Sequence, residues 1–488
     1  MSKLNKGYTP AQTEAITYRG TDVLVSAAAG SGKTQVLTER IISIIAGEGV
    51  SIENLLAITF TKLAAAEMKE RIKAALNAAY AETKSAFLRN EINKVEYADI
   101  TTIDSFCSNL IKKYFYLLGV DPNFKILEEP DAEELKNQAV DNVFTELYEG
   151  LDEDFQSLLS VFSAHRKDAA LRDAVKNVMN FCESEECSDK VLEKSLKVAD
   201  EVKFKVDGGL LEEAKGGSQK LLSLLKELKN NEKYVSRKDK IEKYEAVASY
   251  YLSLNSVGEF DETAAYIKAD NKLCGEVPEL FEVIATLKGF YESFKETKPL
   301  ILNSAEDLEF EKSLVIKLFN LVKRVEAEYG QLKAEAAAMT FSDLGKKTLE
   351  LLNDKAALEE IKNKYAYIFV DEYQDVNGVQ EAIVNKISSD NCFMVGDLKQ
   401  SIYGFRGSDP EYFKQKADTF GSVGKKVINL DKNFRCAENI VEFVNDLFSN
   451  VMTENSCGVD YAKNLMEYGG LYGSKNKYEG DAVIDVYD

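Results

Sequence analysis

One string constrains this chain more than any other: Ala27-Ala28-Ala29-Gly30-Ser31-Gly32-Lys33-Thr34. It follows a short apolar stretch, Val23-Leu-Val-Ser26, and opens an amphipathic one that runs from Lys33 to about Ala46 and is closed by Gly47. Glycines let backbone N–H groups curl around a phosphate, and the start of a helix adds positive potential. An ammonium then reaches the β- and γ-phosphates while a hydroxyl holds Mg²⁺. The pattern places residues 27–32 around the phosphates, Lys33 upon them and Thr34 on the metal. Ala27 stands where the common pattern has its first glycine. A phosphate loop between strand and helix calls for a parallel sheet with its helices on the faces. Two more strand–helix units follow: Leu55–Phe60 before an Ala-rich helix from Lys62 to about Tyr80, and Ile100–Ile103 before a helix beginning near Asp104-Ser105, whose side chains suit an N-cap.

From about Asp121 to Met339 the chain changes character. Glu, Lys, Leu and Ala dominate, leucines recur at helical spacing (Leu222, Leu225, Leu228), and β-branched runs are scarce. Asp207-Gly-Gly209 and Lys215-Gly-Gly217 read as local loops within this helical block. Strand patterns resume at Tyr367–Val370, Cys392–Val395 and Lys426–Leu430. The expected architecture is therefore an α/β fold with a parallel sheet in two parts, residues 1–120 and 340–430, interrupted by a helical insertion over 121–339.

Composition narrows the chemistry. His165 is the single histidine, so no multi-histidine metal centre is expected, and its polar surroundings, Ser163-Ala-His-Arg-Lys167, suit a surface residue. Seven cysteines without a Cys-x-x-Cys pair suggest neither a disulfide framework nor a zinc site. No apolar stretch approaches the roughly 18 residues a membrane span needs, and the first six residues carry no secretion signal, so a cytoplasmic protein is expected. The net charge of −21 argues against a diffuse electrostatic grip on nucleic acid. That acidity is uneven: residues 1–120 carry 14 basic and 12 acidic side chains, the remainder 47 and 70. A nucleic-acid site would have to be a local groove using stacking and backbone amides.

Three later strings complete a catalytic set. In Ile368-Phe-Val-Asp371-Glu372-Tyr373-Gln374-Asp375 an apolar strand delivers two carboxylates to the sheet edge beside the phosphate loop. Asp371 is expected to hold Mg²⁺ through water and Glu372 to act as general base; a solvated acidic turn is the plain alternative. In Val395-Gly-Asp397 to Gln400-Ser-Ile-Tyr403-Gly-Phe405-Arg406-Gly407, Gln400 can sense the γ-phosphate while Tyr403, Phe405 and Arg406 bring aromatic and cationic surface to one loop. Those aromatics either stack on bases or anchor their loop in the core. Arg435, in Asn433-Phe434-Arg435, is the candidate γ-phosphate arginine, or else it makes an ordinary salt bridge at a helix start.

Taken in order, Tyr8-Thr-Pro-Ala-Gln12, the phosphate loop, Thr59-Phe-Thr61, Thr102-Ile-Asp-Ser-Phe106, Asp371–Asp375, Gly396–Gly407 and Asn433–Arg435 resemble the successive motifs of superfamily-one DNA helicases of the UvrD type. The resemblance implies RecA-like domain 1A at 1–120 and 340–430, helical domain 1B at 121–339, and the start of RecA-like domain 2A at 431–488. It implies that Gln12 reads adenine, Arg40 assists the nucleotide, Phe434 stacks on the base and Arg435 is an arginine finger. It further implies that Phe60, Thr61, Thr102 and Phe405 lie along single-stranded DNA at a single/double-strand junction, with ATP and Mg²⁺ driving 3′-to-5′ stepping. The stretch from Ile103 to Phe124 and the long insertion look most like the AddA type, the helicase-nuclease subunit that pairs with an AddB-type subunit in double-strand-break repair. Many members of the family carry His where Asp104 stands, and no role passes to that residue.

The resemblance is partial in one respect. After Arg435 only 53 residues remain, without the later Ser-Lys-Gly motif, a second catalytic arginine or a nuclease signature. An N-terminal portion that binds ATP weakly and hydrolyses it poorly is expected. A nucleotide-gated DNA-binding scaffold is the alternative; a small-molecule kinase or GTPase-like switch is more distant, since no Asn-Lys-x-Asp guanine reader is present.

Overall fold

In the computed structural model, which describes residues 7–162, 168–255, 259–453, 458–463 and 465–470, the apolar runs become strands whose alternate side chains serve opposite faces. The first three are β1 (Val23–Ala27), β2 (Leu55–Thr59) and β3 (Asp99–Thr102); then come β4 (Lys125–Ile126), β5 (Ala338–Met339), β6 (Tyr367–Val370), β7 (Cys392–Gly396) and β8 (Lys426–Leu430). Six of them form one parallel sheet in the order β3-β2-β6-β7-β1-β8. Leu24, Leu56, Ile58, Ile368, Val370, Cys392 and Met394 belong to one buried cluster. Their neighbours Val23, Val25, Leu55, Ala57, Phe369, Phe393, Val395, Ile428 and Leu430 belong to another. Because successive strand residues point to opposite sides, a sheet that carries apolar residues on both of its faces must be covered on both. The helices Pro10–Thr17, Lys33–Glu48 and Lys62–Thr83 supply one cover, and Ile103–Lys113, Phe341–Leu351 and Gly378–Ile387 the other.

Two helix ends differ from expectation. The helix after the phosphate loop continues through Gly47 to Glu48, and Gly49, at φ +71°, takes the left-handed cap that a non-glycine residue adopts only at a cost. The helix after β3 starts at Ile103, because the Thr102 side chain rather than Asp104 or Ser105 accepts the Ser105 N–H.

The chain divides into two compact units. One comprises residues 1–143, 176–187 and 325–488; the other comprises 144–175 and 188–324. Within the first, β4 pairs with β5 in parallel, Lys125 opposite Ala338 and Ile126 opposite Met339, which ties together the two flanks of the helical block. The second unit is helical around its own core, which includes Leu221, Leu225, Leu228, Tyr251 and Phe294. Here the glycine pairs depart from the loop expectation: residues 188–229 form one continuous helix. A glycine inside a helix costs about 1 kcal/mol, which the burial of Leu211, Ala214, Leu221 and Leu225 on the same helix outweighs. A Cβ at Gly217 would make ordinary contact with Leu287 and Phe290, at 3.5 and 3.6 Å, so packing there does not require glycine. His165 lies outside the described residues.

Packing at Gly345, inside the helix Phe341–Leu351, gives a test. Alanine would raise helix propensity by about 1 kcal/mol, yet its Cβ would fall 2.5 Å from Cγ1 of Val379, a stiff β-branched side chain. Overpacking of this kind costs about 1–3 kcal/mol. Gly345→Ala is expected to lower the urea midpoint; a raised midpoint would contradict the packing described.

Candidate active site

Three adjacent strands, β6, β7 and β1, end at the same edge of the sheet, and their following loops meet there. Gly30 and Gly32 have φ of +70° and +86°, conformations open to glycine, which turn the phosphate loop back onto the helix start. Lys33, the first residue of that helix, directs Nζ to Glu372 Oε2 at 3.3 Å and to Gln400 Oε1 at 3.4 Å. Residues separated from Lys33 by more than 300 positions in sequence thus share its ammonium.

The acidic pair is held firmly. The Asp371 N–H donates to Ile58 O on β2 at 2.9 Å, fixing the end of β6. Glu372 sits in the left-handed region, φ +50° and ψ +46°. Gln374, 2% exposed, donates to Glu372 Oε2 and Asp375 Oδ2, both at 3.0 Å, and accepts the Asp397 N–H at 3.0 Å. Asp397 accepts from the Gln400 amide at 2.7 Å and pairs with Lys399 at 3.0 Å. Burial first, and then the neighbouring Glu372, push the Asp371 carboxyl up to about 6.

On the other side the loop is braced by residues that sequence reasoning did not single out for that part. Gln12 donates to Ser31 O at 2.9 Å, and its own position is set by a capping box with Thr9. Asn433, in the short strand β9 (Lys432–Asn433), donates to Ala29 O at 2.9 Å and accepts the Arg435 and Cys436 N–H groups at 2.8 and 2.9 Å. The Phe434 N–H donates to Gly30 O at 3.0 Å. Arg435 is not buried, and its Cβ stands where a Cβ on Gly30 would collide, at 2.9 Å. The Phe434 ring lies against Gly469. Asn433 and Gln374 gave one signal in the sequence: amide residues next to aromatic ones, in strings otherwise read for their charges.

Not every expected residue joins this group. Arg40 is 2% exposed; it donates to Ala15 O at 2.7 Å, lies 4.3 Å from the Phe393 ring centroid, and is pushed down to about 9 by burial. It thus braces the helix that carries Gln12. Thr102 is buried and commits its hydroxyl to Ser105, while Thr61 is an exposed N-cap whose side chain accepts the Ala64 N–H. The aromatic residues do meet. Phe60 and Tyr403 stand with centroids 4.4 Å apart, and Phe405, 80% exposed, is 5.9 Å from Tyr403. Leu63 and Ile402 beside them are 71% and 68% exposed, so the loop is not anchored in a core. The side chain of Arg406 lies outside the described residues.

This arrangement fits a magnesium nucleotide. Ser31 is fully buried, and its Oγ has no protein partner inside a loop of left-handed glycines. Among the described residues no group of three or more His, Cys, Asp or Glu forms a metal site. Thr34 and Asp371 would therefore share Mg²⁺ with phosphate and water oxygens, as that ion prefers.

The sequence matches the UvrD/REP helicase N-terminal domain over residues 8–421. The chain belongs to this family. Its similarity to named relatives is broad: it is 35% identical to the A subunit of the ATP-dependent helicase/nuclease of Alkaliphilus metalliredigens, over 95% of this chain and 41% of that protein. With the corresponding protein of Acetivibrio thermocellus the identity is 36%, over 98% of this chain and 42% of the relative. The chain therefore spans about two fifths of the length of these helicase/nuclease relatives. Among the described residues no helix is long and apolar enough to cross a membrane.

The Asp371 carboxyl supplies a pH test of the family site. Its folded value of about 6 lies above the ordinary ~3.9, so the fold favours the neutral acid and loses stability as pH rises between about 4 and 6. Asp371→Asn, neutral throughout, is expected to be more stable than the parent above pH 6, by up to about 2 kcal/mol after solvent screening, and to match it below pH 4. Thermal melts in EDTA across that range measure the difference; a gain confined to acid pH would reverse the assignment.

Proposed function

We propose that this chain hydrolyses ATP with Mg²⁺ and uses the cycle to move 3′ to 5′ along single-stranded DNA. In this reading it is the helicase part of a helicase-nuclease that works at double-strand breaks beside an AddB-type subunit in the cytoplasm. One observation carries the reading: the Lys33 ammonium contacts Glu372 and Gln400 at the meeting of three strand ends. A general base, a phosphate ligand and an amide linked to the next loop stand within one nucleotide's reach.

The geometry supports the following roles. Loop N–H groups and Lys33 hold the β- and γ-phosphates, and Thr34 and Asp371 hold the metal, which supplies charge neutralisation at the phosphoryl group. Glu372 takes the proton of the attacking water, leaving its ion pair with Lys33 when the γ-phosphate claims that ammonium. Arg435, tethered to the phosphate loop through Asn433, adds positive charge to the transition state. Gln400 begins the loop whose far end carries Tyr403 and Phe405, so phosphate occupancy and the aromatic cluster meet on one short segment. Phe60, Tyr403 and Phe405 suit unpaired bases, since each base offers a π-face whatever its identity. This local stacking surface also answers the chain's net charge of −21, which opposes a grip based on charge alone.

Two substitutions test separate halves of the reading. Glu372→Gln is expected to lower DNA-stimulated ATP turnover by about 10² or more while nucleotide binding persists. Unchanged turnover would favour a nucleotide-gated scaffold. Phe405→Ala is expected to weaken binding of an unstructured oligonucleotide by about 1–3 kcal/mol in fluorescence anisotropy, with ATP affinity unaltered. Equal affinity of the two proteins for the oligonucleotide would remove Phe405 from the DNA path.

A further inference from the structure

Glu372 keeps a backbone conformation that side-chain-bearing residues avoid, φ +50° and ψ +46°. A single left-handed residue other than glycine is sterically disfavoured and persists where its surroundings over-determine it. Gln374 provides one restraint, already described. The other lies behind the site, at Tyr373.

Tyr373 is 1% exposed, and its hydroxyl donates to Glu381 Oε2 on the helix Gly378–Ile387. Glu381 is itself 7% exposed, and its second oxygen accepts from Asn385 Nδ2 at 2.8 Å and from Lys416 Nζ at 2.9 Å. Lys416, on the helix Glu411–Thr419, also donates to Asn385 Oδ1 at 2.9 Å and sits 5.6 Å from the Tyr373 ring centroid. Phe413, about one helical turn earlier, packs on that ring with centroids 6.2 Å apart. The tyrosine is thus held from two helices, neither of which contributes a residue to the nucleotide site. Burying a carboxylate and an ammonium is costly, and replacement by apolar groups is often neutral for stability, so a retained pair invites a role in specifying one geometry.

We propose that Glu381 and Lys416 are positioning residues for hydrolysis: they clamp the Tyr373 hydroxyl and so hold Glu372 left-handed, with its carboxylate on Lys33. The next residue in the chain is fixed at its side-chain tip, and the residue after that at its amide, so the Glu372 peptide cannot relax toward the right-handed region without breaking one clamp. The clamp acts on turnover rather than on nucleotide affinity, because the loop N–H groups and Lys33 that hold phosphate do not depend on it. This inference rests on the hydrolytic reading, and its test separates the two.

The experiment compares Tyr373→Phe, Glu381→Ala and Glu381→Gln with the parent chain. Tyr373→Phe keeps the ring and loses the clamp; Glu381→Gln keeps an oxygen that can accept from the tyrosine. A displacement of about 1 Å at a reacting group can cost 10²-fold in rate, so turnover is expected to fall about tenfold or more in Tyr373→Phe and Glu381→Ala, with affinity for a fluorescent ATP analogue unchanged within about twofold. Glu381→Gln is expected to recover most of the lost rate. Crystal structures of Tyr373→Phe and Glu381→Gln supply a readout independent of catalysis: Glu372 should leave positive φ and its contact with Lys33 in the first and retain both in the second. The proposal is overturned if Glu372 stays left-handed on Lys33 in Tyr373→Phe, or if all three variants turn over like the parent while Glu372→Gln is inactive. Should Glu372→Gln turn over normally, the hydrolytic reading itself falls, and the Glu372 conformation alone then decides whether the clamp exists.

Discussion

A single ammonium, that of Lys33, organises the first unit. It can meet Glu372 and Gln400 only because β6, β7 and β1 run in the same direction and terminate at one edge, in a register that pairs Val25 with Val395 and Phe369 with Phe393. A slip of one residue in any of these strands would turn its apolar side chains to the wrong cover and carry the following loop with it. Fold and chemistry are thus constrained by the same ladder. The sheet must be buried on both faces to exist, and its C-terminal edge is then the open place where polar loops gather.

Polar residues inside that edge do more than bind. Gln374 and Asn433 are each 2% exposed, and each joins loops that arrive from different strands. Gln374 ties the acidic turn to the start of the Gln400 loop, while Asn433 ties the phosphate loop to the segment that carries Phe434 and Arg435. A buried amide without its partners costs about 1–3 kcal/mol, so such residues tolerate one arrangement of the loops and resist others. They give the site its rigidity where the charged residues give it its chemistry.

Much of this was legible from residue order. The phosphate loop announced itself through glycines at positions that prove left-handed, and the acidic pair through the apolar strand before it. Arg40 entered only through the family resemblance, and its burial against Phe393 and the Ala15 carbonyl depends on a tertiary contact that spacing does not encode. Residues 121–143, 176–187 and 325–339 share the composition of the helical block yet pack with the first unit, since Glu-, Lys- and Leu-rich helices look alike whichever core receives them. The glycine pairs of the long helix Ser188–Lys229 show local preference yielding to side-chain burial on the same helix. Thr102, which the resemblance puts along the single strand, spends its hydroxyl on its own helix end, a local bond that residue order does show.

The strand order has a consequence for biosynthesis. Both neighbours of β1 are the last strands of its sheet to be made: Asp22, at its foot, waits for Cys392, 370 residues further on, and β8 emerges later still. At about 5–20 residues per second a ribosome takes roughly 20–70 s to cover that distance, and throughout it Val23, Leu24 and Val25 have neither strand partner to pair with. Nascent chains of this topology expose an apolar edge for far longer than a hairpin protein does, which makes the interval of translation, rather than the finished fold, the period in which this sequence is most vulnerable to aggregation.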